Sequence, residues 1–205
     1  ADHDGLAWRR RWSDAGPPWM TALLVGVMIR LFLLARATDL HGAVLAQVRR
    51  TSDILELGEV WRLVTSGFVH LDLAHLSSNL LWLAYAGANL ERAFGAAALL
   101  RLFLLSVLGG SLLSMAVNPE LPSIGASGGL MGLVGTAIVV GLRGDALPER
   151  TRRFFGFALA PYVLLTFYQG LRAEQVDNAA HLGGLLTGAL VALPLRPPWR
   201  PDPLA

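Results

Sequence analysis

One hydroxyl, that of Ser127, stands among the glycines of the stretch Ser123-Ile124-Gly125-Ala126-Ser127-Gly128-Gly129-Leu130-Met131-Gly132, at the mouth of an apolar run. Pro119 and Pro122 forbid regular structure just upstream, and Leu130 to Leu142 is apolar enough for a buried helix, so the pattern places Ser127 at or near a helix N-terminus. A helix start is electrostatically positive and carries unpaired N–H groups, which receive the negative charge that develops on a carbonyl oxygen under attack by serine. The same Gly-Ala-Ser-Gly stretch also reads as a small-residue surface for close helix packing, with no chemistry attached. Two further sets of polar groups sit inside apolar runs. His181 heads a later run. His75 and Asn79 lie at i and i+4 in an earlier one, where an imidazole and an amide share a helix face and can aim N–H groups at one point. Polar groups in such surroundings are expensive and mark functional candidates, the alternative being hydrogen bonds between helices.

The glycines say how a serine and a distant histidine would meet. His181, Gly184 and Gly188 fall at i, i+3 and i+7, and Gly128, Gly132 and Gly135 form a matching stripe after Ser127. Facing stripes of missing side chains let two helices approach backbone to backbone.

Composition narrows the chemistry. With 54% hydrophobic and 16% charged residues, the chain is too apolar for an ordinary soluble domain of its size, and a membrane domain is the expected class. Cysteine is absent, which removes thiol nucleophiles and thiolate metal sites; lysine is absent too, which removes a Ser-Lys dyad. No His-Glu-x-x-His occurs for a zinc protease, and every aspartate lies at a loop or run boundary, which argues against an aspartyl membrane protease. Gly125-Ala126-Ser127-Gly128-Gly129 formally fits a G-x-S-x-G elbow, but the two prolines leave no room for its preceding strand. Asp177, four residues before His181, reads as a helix N-cap, with orientation of His181 as the other possibility. No cofactor or metal is expected. The arginines are scattered between apolar segments and do not form a stripe with interleaved aromatics, so nucleic acid is not an expected partner.

Taken in order, residues 1–17 form a polar arm with Arg9-Arg10-Arg11 between Trp8 and Trp12, and 18–195 form the membrane domain. The first span runs from Trp19 to Ala37, with Arg30 read as snorkelling. A mixed segment from about 38 to 71 has apolar residues at roughly helical spacing and is expected as an amphipathic, interfacial first outer loop. Further runs at about 73–90, 97–117, 125–142, 154–170 and 178–195 each approach the ~20 residues needed to cross the hydrocarbon core, which makes six transmembrane helices in an all-α membrane protein. Residues 196–205 are a tail. Arginines outnumber roughly two to one on the side of the termini, so both termini and the tail are expected in the cytoplasm and Ser127 near the outer face.

Five motifs together resemble the rhomboid family of intramembrane serine proteases: Trp61-Arg62; His70 followed by His75-Leu76-Ser77-Ser78-Asn79; Glu91-Arg92 with Gly95; Gly125-Ala126-Ser127-Gly128; and Ala180-His181-Leu182-Gly183-Gly184 with Gly188. They span about residues 61–195, in order and on the matching runs. The resemblance implies a rhomboid-like bundle in which Ser127 is the nucleophile and His181 the general base, with no acidic third member. It implies an oxyanion hole of His75, Asn79 and the Ser127 amide, and a structural Trp61-Arg62 in a loop lying in the outer leaflet. The position four after the serine, often aromatic in the family and packed on the histidine ring, is Met131 here, whose thioether can fill that space. The implied activity is cleavage of single-span transmembrane substrates within the bilayer, in a bacterial inner membrane, with the active site opening outward. Two rival readings are a rhomboid-like protein that binds transmembrane helices without cutting them, and a small transporter lined by Arg30 and His70.

Overall fold

The structure is a computed structural model and describes residues 14–37, 42, 46–143, 159–173 and 176–195. Most of the expected N-terminal arm, the tail from 196 and the start of the fifth apolar run lie outside the described residues. All regular elements described are helical.

Helix α1 (Trp19–Ala37) follows Pro17-Pro18 and buries Met20, Leu24, Met28 and Phe32, a stripe at four-residue spacing. Arg30 lies on its exposed face. Its first turn is closed by a carboxylate from far along the chain: Glu91 accepts from the Met20 and Thr21 amides at 2.8 and 2.7 Å and from the Thr21 hydroxyl at 2.7 Å. An anion there satisfies orphan N–H groups and complements the helix dipole.

The first loop carries two short helices, α2 (Thr51–Leu55) and α3 (Arg62–Thr65), and a 3-10 turn at Ser66–Phe68. Its polarity departs from a simple amphipathic pattern. Arg49 is wholly buried and Arg62 nearly so, while Leu55, Leu57, Val60 and Trp61 are exposed. Helical periodicity misjudges these positions because the helices here are one turn long, and long-range hydrogen bonds outweigh the hydropathy of single residues.

Helix α4 (Leu73–Trp82) starts on Asp72, whose side chain accepts from the His75 amide at 2.8 Å. It passes through a π-helical stretch, Leu83–Gly87, into α5 (Ala88–Phe94). Then follow α6 (Ala96–Val117), α7 (Ser127–Leu142), α8 (Ala160–Arg172) and α9 (Asn178–Ala192). These helices fall on the apolar runs. By length and composition α1 and α6 are each able to cross a membrane, and α7 and α9 are shorter apolar helices.

Helix α7 is the centre of the molecule, with every residue from Gly128 to Ala137 buried. It packs most closely on α9 and α6, and side chains from α1 and α4 complete the core. A helix apolar on all sides has to be wrapped by others.

Candidate active site

Ser127 is the first residue of α7, behind a glycine that only glycine can replace. Gly125 has φ of +110°, and a Cβ there would lie 2.5 Å from the His75 ring and 3.5 Å from Asn79 Nδ2. The chain before Ser127 therefore lies flat over the two side chains expected to bind an oxyanion. It is held from below by the Gly125 amide, which donates to Ser66 O at 2.9 Å, and by the Ala126 amide, which donates to His70 Nε2 at 3.5 Å. Burial, and after it the nearby His75, holds the His70 pKa down to about 3, so this ring is a neutral acceptor.

Glycines bring the histidine in. A Cβ on Gly184 would stand 2.0 Å from Gly128 O, one on Gly188 would stand 1.9 Å from Gly132 O, and one on Gly135 would stand 2.1 Å from Leu185 O. Helices α7 and α9 thus touch through main chain on one continuous line. Helix α9 opens on Asp177, whose Oδ1 accepts from the Ala180 amide at 2.9 Å, so this carboxylate is an N-cap. One turn on, His181 is buried at 5% exposure, and its Nε2 lies 2.8 Å from Ser127 Oγ. Its Nδ1 is 3.4 Å from Asn178 Oδ1. With Nδ1–H donating to that carbonyl, Nε2 is left with its lone pair toward the hydroxyl, the tautomer that accepts a proton from serine.

Asn79 is buried at 4% exposure, and its Nδ2 has no protein hydrogen-bond partner. A buried N–H donor without a partner is costly, and it is what a site for a transient anion requires. His75 is half-buried with its ring 5.0 Å from that of His70, edge to face. Among the described residues no group of histidine and acidic side chains is arranged to hold a metal ion.

Other expected positions serve the frame. Trp61 is 51% exposed. Arg62 is buried on Glu59 and Asp53 and donates to Val48 O at 3.0 Å, which folds the first loop on itself. Met131 is fully buried in the core. The aromatic ring set edge-on to His181 comes from Phe167 on α8, with centroids 6.3 Å apart. Sequence reasoning missed Phe167 and Asn178. Asn178 stands three residues before the histidine and was legible as a same-face neighbour, whereas nothing local marks Phe167. A pocket of about 540 Å³ opens between the ends of α6, α8 and α9 and is lined in part by Asn118, Glu120, Gly170 and Asn178, so it borders the histidine's own partner.

Comparison with known proteins places this architecture. The profile of the Rhomboid domain matches residues 57–198. The chain is 31% identical over 184 residues to the rhomboid protease GluP of Bacillus subtilis, across 88% of this chain and 35% of that protein. It is 32% identical over 196 residues to the rhomboid protease GlpG of Photorhabdus laumondii, across 93% of this chain and 66% of that protein. With the rhomboid protease AarA of Providencia stuartii it shares 26% identity over 199 residues, 85% of this chain and 70% of the other. The chain thus spans about a third of the first relative and two thirds of the second. It belongs to the rhomboid family of integral membrane proteins.

Proposed function

We propose that this protein is an intramembrane serine endopeptidase working through a dyad of Ser127 and His181. The observation that carries the reading is the 2.8 Å contact between His181 Nε2 and Ser127 Oγ at the partly buried end of a glycine-lined seam. In this mechanism His181 takes the hydroxyl proton as Oγ attacks a peptide carbonyl, and the C–O bond forms as the carbonyl electrons move onto oxygen. That oxyanion is received by Asn79 Nδ2, the His75 ring N–H and the Ser127 amide. The imidazolium then protonates the leaving amine, and water, deprotonated by the same ring, hydrolyses the ester. Relatives named as rhomboid proteases support the class of reaction.

Substrates on this reading are single-span proteins whose helices carry residues that unwind easily, because a peptide bond inside a helix is closed to attack. Water reaches the serine from an outward-facing cavity, since the hydrocarbon core holds none. The six-span arrangement, with both termini in the cytoplasm of a bacterial inner membrane, is part of the same proposal. Reconstitution with a labelled single-span substrate tests it: cleavage by the parent chain and none by Ser127→Ala is the expected result, with a fluorophosphonate labelling only the parent. Equal cleavage by Ser127→Ala ends the proposal, and failure of both labelling and cleavage favours a helix-binding role.

A further inference from the structure

Among the described residues Arg49 is the largest side chain with no solvent exposure, and it lies outside every motif the family resemblance uses. Its bonds run to both arms of the site. Its backbone forms an isolated antiparallel bridge with Ser123, N to O at 2.9 Å one way and 3.0 Å the other. Its Nη2 donates to Leu121 O at 2.7 Å and to Ser114 Oγ at 2.7 Å and lies 3.4 Å from Asp177 Oδ2. Ser114 Oγ in turn donates to Asp177 Oδ2 at 2.5 Å. Thr51, beside it, takes an Nη1 contact at 3.2 Å and donates to Pro119 O at 2.7 Å.

Two of these partners share a place in the chain. Ser123 is four residues before Ser127, and Asp177 is four residues before His181. The first leads into α7 through Gly125 at its positive φ; the second caps α9, and its carbonyl accepts from the His181 amide at 3.1 Å. We propose that Arg49 is a positioning residue for the Ser127–His181 pair, a clasp in the first loop that sets the spacing between the segment leading to the serine and the cap preceding the histidine. It touches neither side chain of the dyad. The glycine seam fixes how closely α7 and α9 approach, and its side-chain tie, the Thr136 hydroxyl donating to Gly188 O at 3.0 Å, lies about two turns from the dyad, which leaves the ends bearing Ser127 and His181 freedom to shift along their line of contact. A planar guanidinium bonded at several points removes that freedom, since its donors are fixed in direction.

The inference rests on the peptidase reading for its kinetic consequence but not for its geometric one, and the experiment separates the two. The full chain is compared with Arg49→Met, Asp177→Asn, the double variant and the milder Ser114→Ala, in liposomes with a labelled single-span substrate. In parallel, ¹⁵N-labelled histidine is followed by NMR, with the His181 resonance identified by its loss in His181→Gln. Misplacement of reacting groups by about 1 Å costs on the order of 10²-fold in rate, so Arg49→Met is expected to lower kcat by about that factor with KM near the parent value. The His181 signal is expected to lose its hydrogen-bonded character in the same variant. Arg49→Met/Asp177→Asn, which removes both buried charges, should regain part of kcat, a non-additivity that independent stabilising roles do not produce. Ser114→Ala should fold and show a severalfold loss. The clasp is overturned if folded Arg49→Met or Ser114→Ala retains parent kcat and the parent His181 signal, or if every loss of rate equals the loss of folded protein. If Ser127→Ala cleaves as well as the parent, the peptidase reading fails, and the NMR signal alone still decides whether Arg49 sets the dyad.

Discussion

The α7–α9 seam and the first loop hold the same two residues in place by opposite means. The seam has almost no side chains: Gly128, Gly132, Gly184 and Gly188 meet through carbonyls and α-carbons, and the contact is uncharged. The loop works through Arg49 and Arg62, each buried on carboxylates and carbonyl oxygens. A glycine seam gives proximity and tolerates no added atom. A charged clasp gives direction, tolerates changes in volume, and fails when one partner loses its counter-charge. A dyad needs both, because proton transfer depends on distance and on alignment.

Breaking the seam should have the largest effect. A Cβ on Gly188 would sit 1.9 Å from Gly132 O and 2.5 Å from its Cα, so Gly188→Ala must push two backbones apart. A cost above the ~1–3 kcal/mol usual for overpacking is expected, seen as a large fall in thermal stability together with lost cleavage. Next is the donor pair under the seam. Asn79→Ala removes an N–H that bonds nothing in the resting protein, so kcat should fall about 10²- to 10³-fold with the melting temperature hardly moved. A parallel fall in both would show Asn79 to be structural.

The loop sharpens the comparison on a smaller scale. Arg62→Ala leaves Glu59 without its cation and Asp53 with Arg50 alone, and both carboxylates are partly exposed, so a loss of about 1–2 kcal/mol is expected with kcat of the folded protein unchanged. That outcome would separate Arg62, which ties the loop to itself, from Arg49, which ties it to the site. His70 provides a pH-dependent contrast. Its folded pKa, about 3, is below the ~6.5 of an unfolded histidine, so the stability it contributes is complete above ~6.5 and is lost as pH falls toward 3. Subtracting the thermal stability of His70→Gln from that of the parent across this window should show that slope. Gly58→Ala should do least. Its φ of +72° makes a side chain strained, yet nothing lies within 4 Å, so about 1 kcal/mol is expected, against the far larger cost at Gly188.

The contrast also explains which parts were legible beforehand. Ser127, His181, His75 and Asn79 stand out because polar groups inside apolar runs are rare, and their glycines stand out because small residues repeat at helical spacing. The apolar runs located the helices for the same local reason, and α1 begins and ends where its run does. The first loop resisted such reading. Its arginines are buried and several of its leucines exposed, and no periodicity reveals a partner 128 residues away, the separation between Arg49 and Asp177.

What this chain determines by itself is therefore its chemistry and its layering: a serine at a helix start, a histidine on a glycine stripe, an amide and an imidazole on one face, and segments too apolar for water. Those follow from short-range order, in which composition and spacing carry the signal. Only the tertiary structure decides that Phe167 supplies the ring contact of His181 and accepts from the Asn178 amide through its carbonyl, and that Arg49 spans the two arms of the site. Each of these is a contact between elements, and its energy depends on where distant segments come to rest.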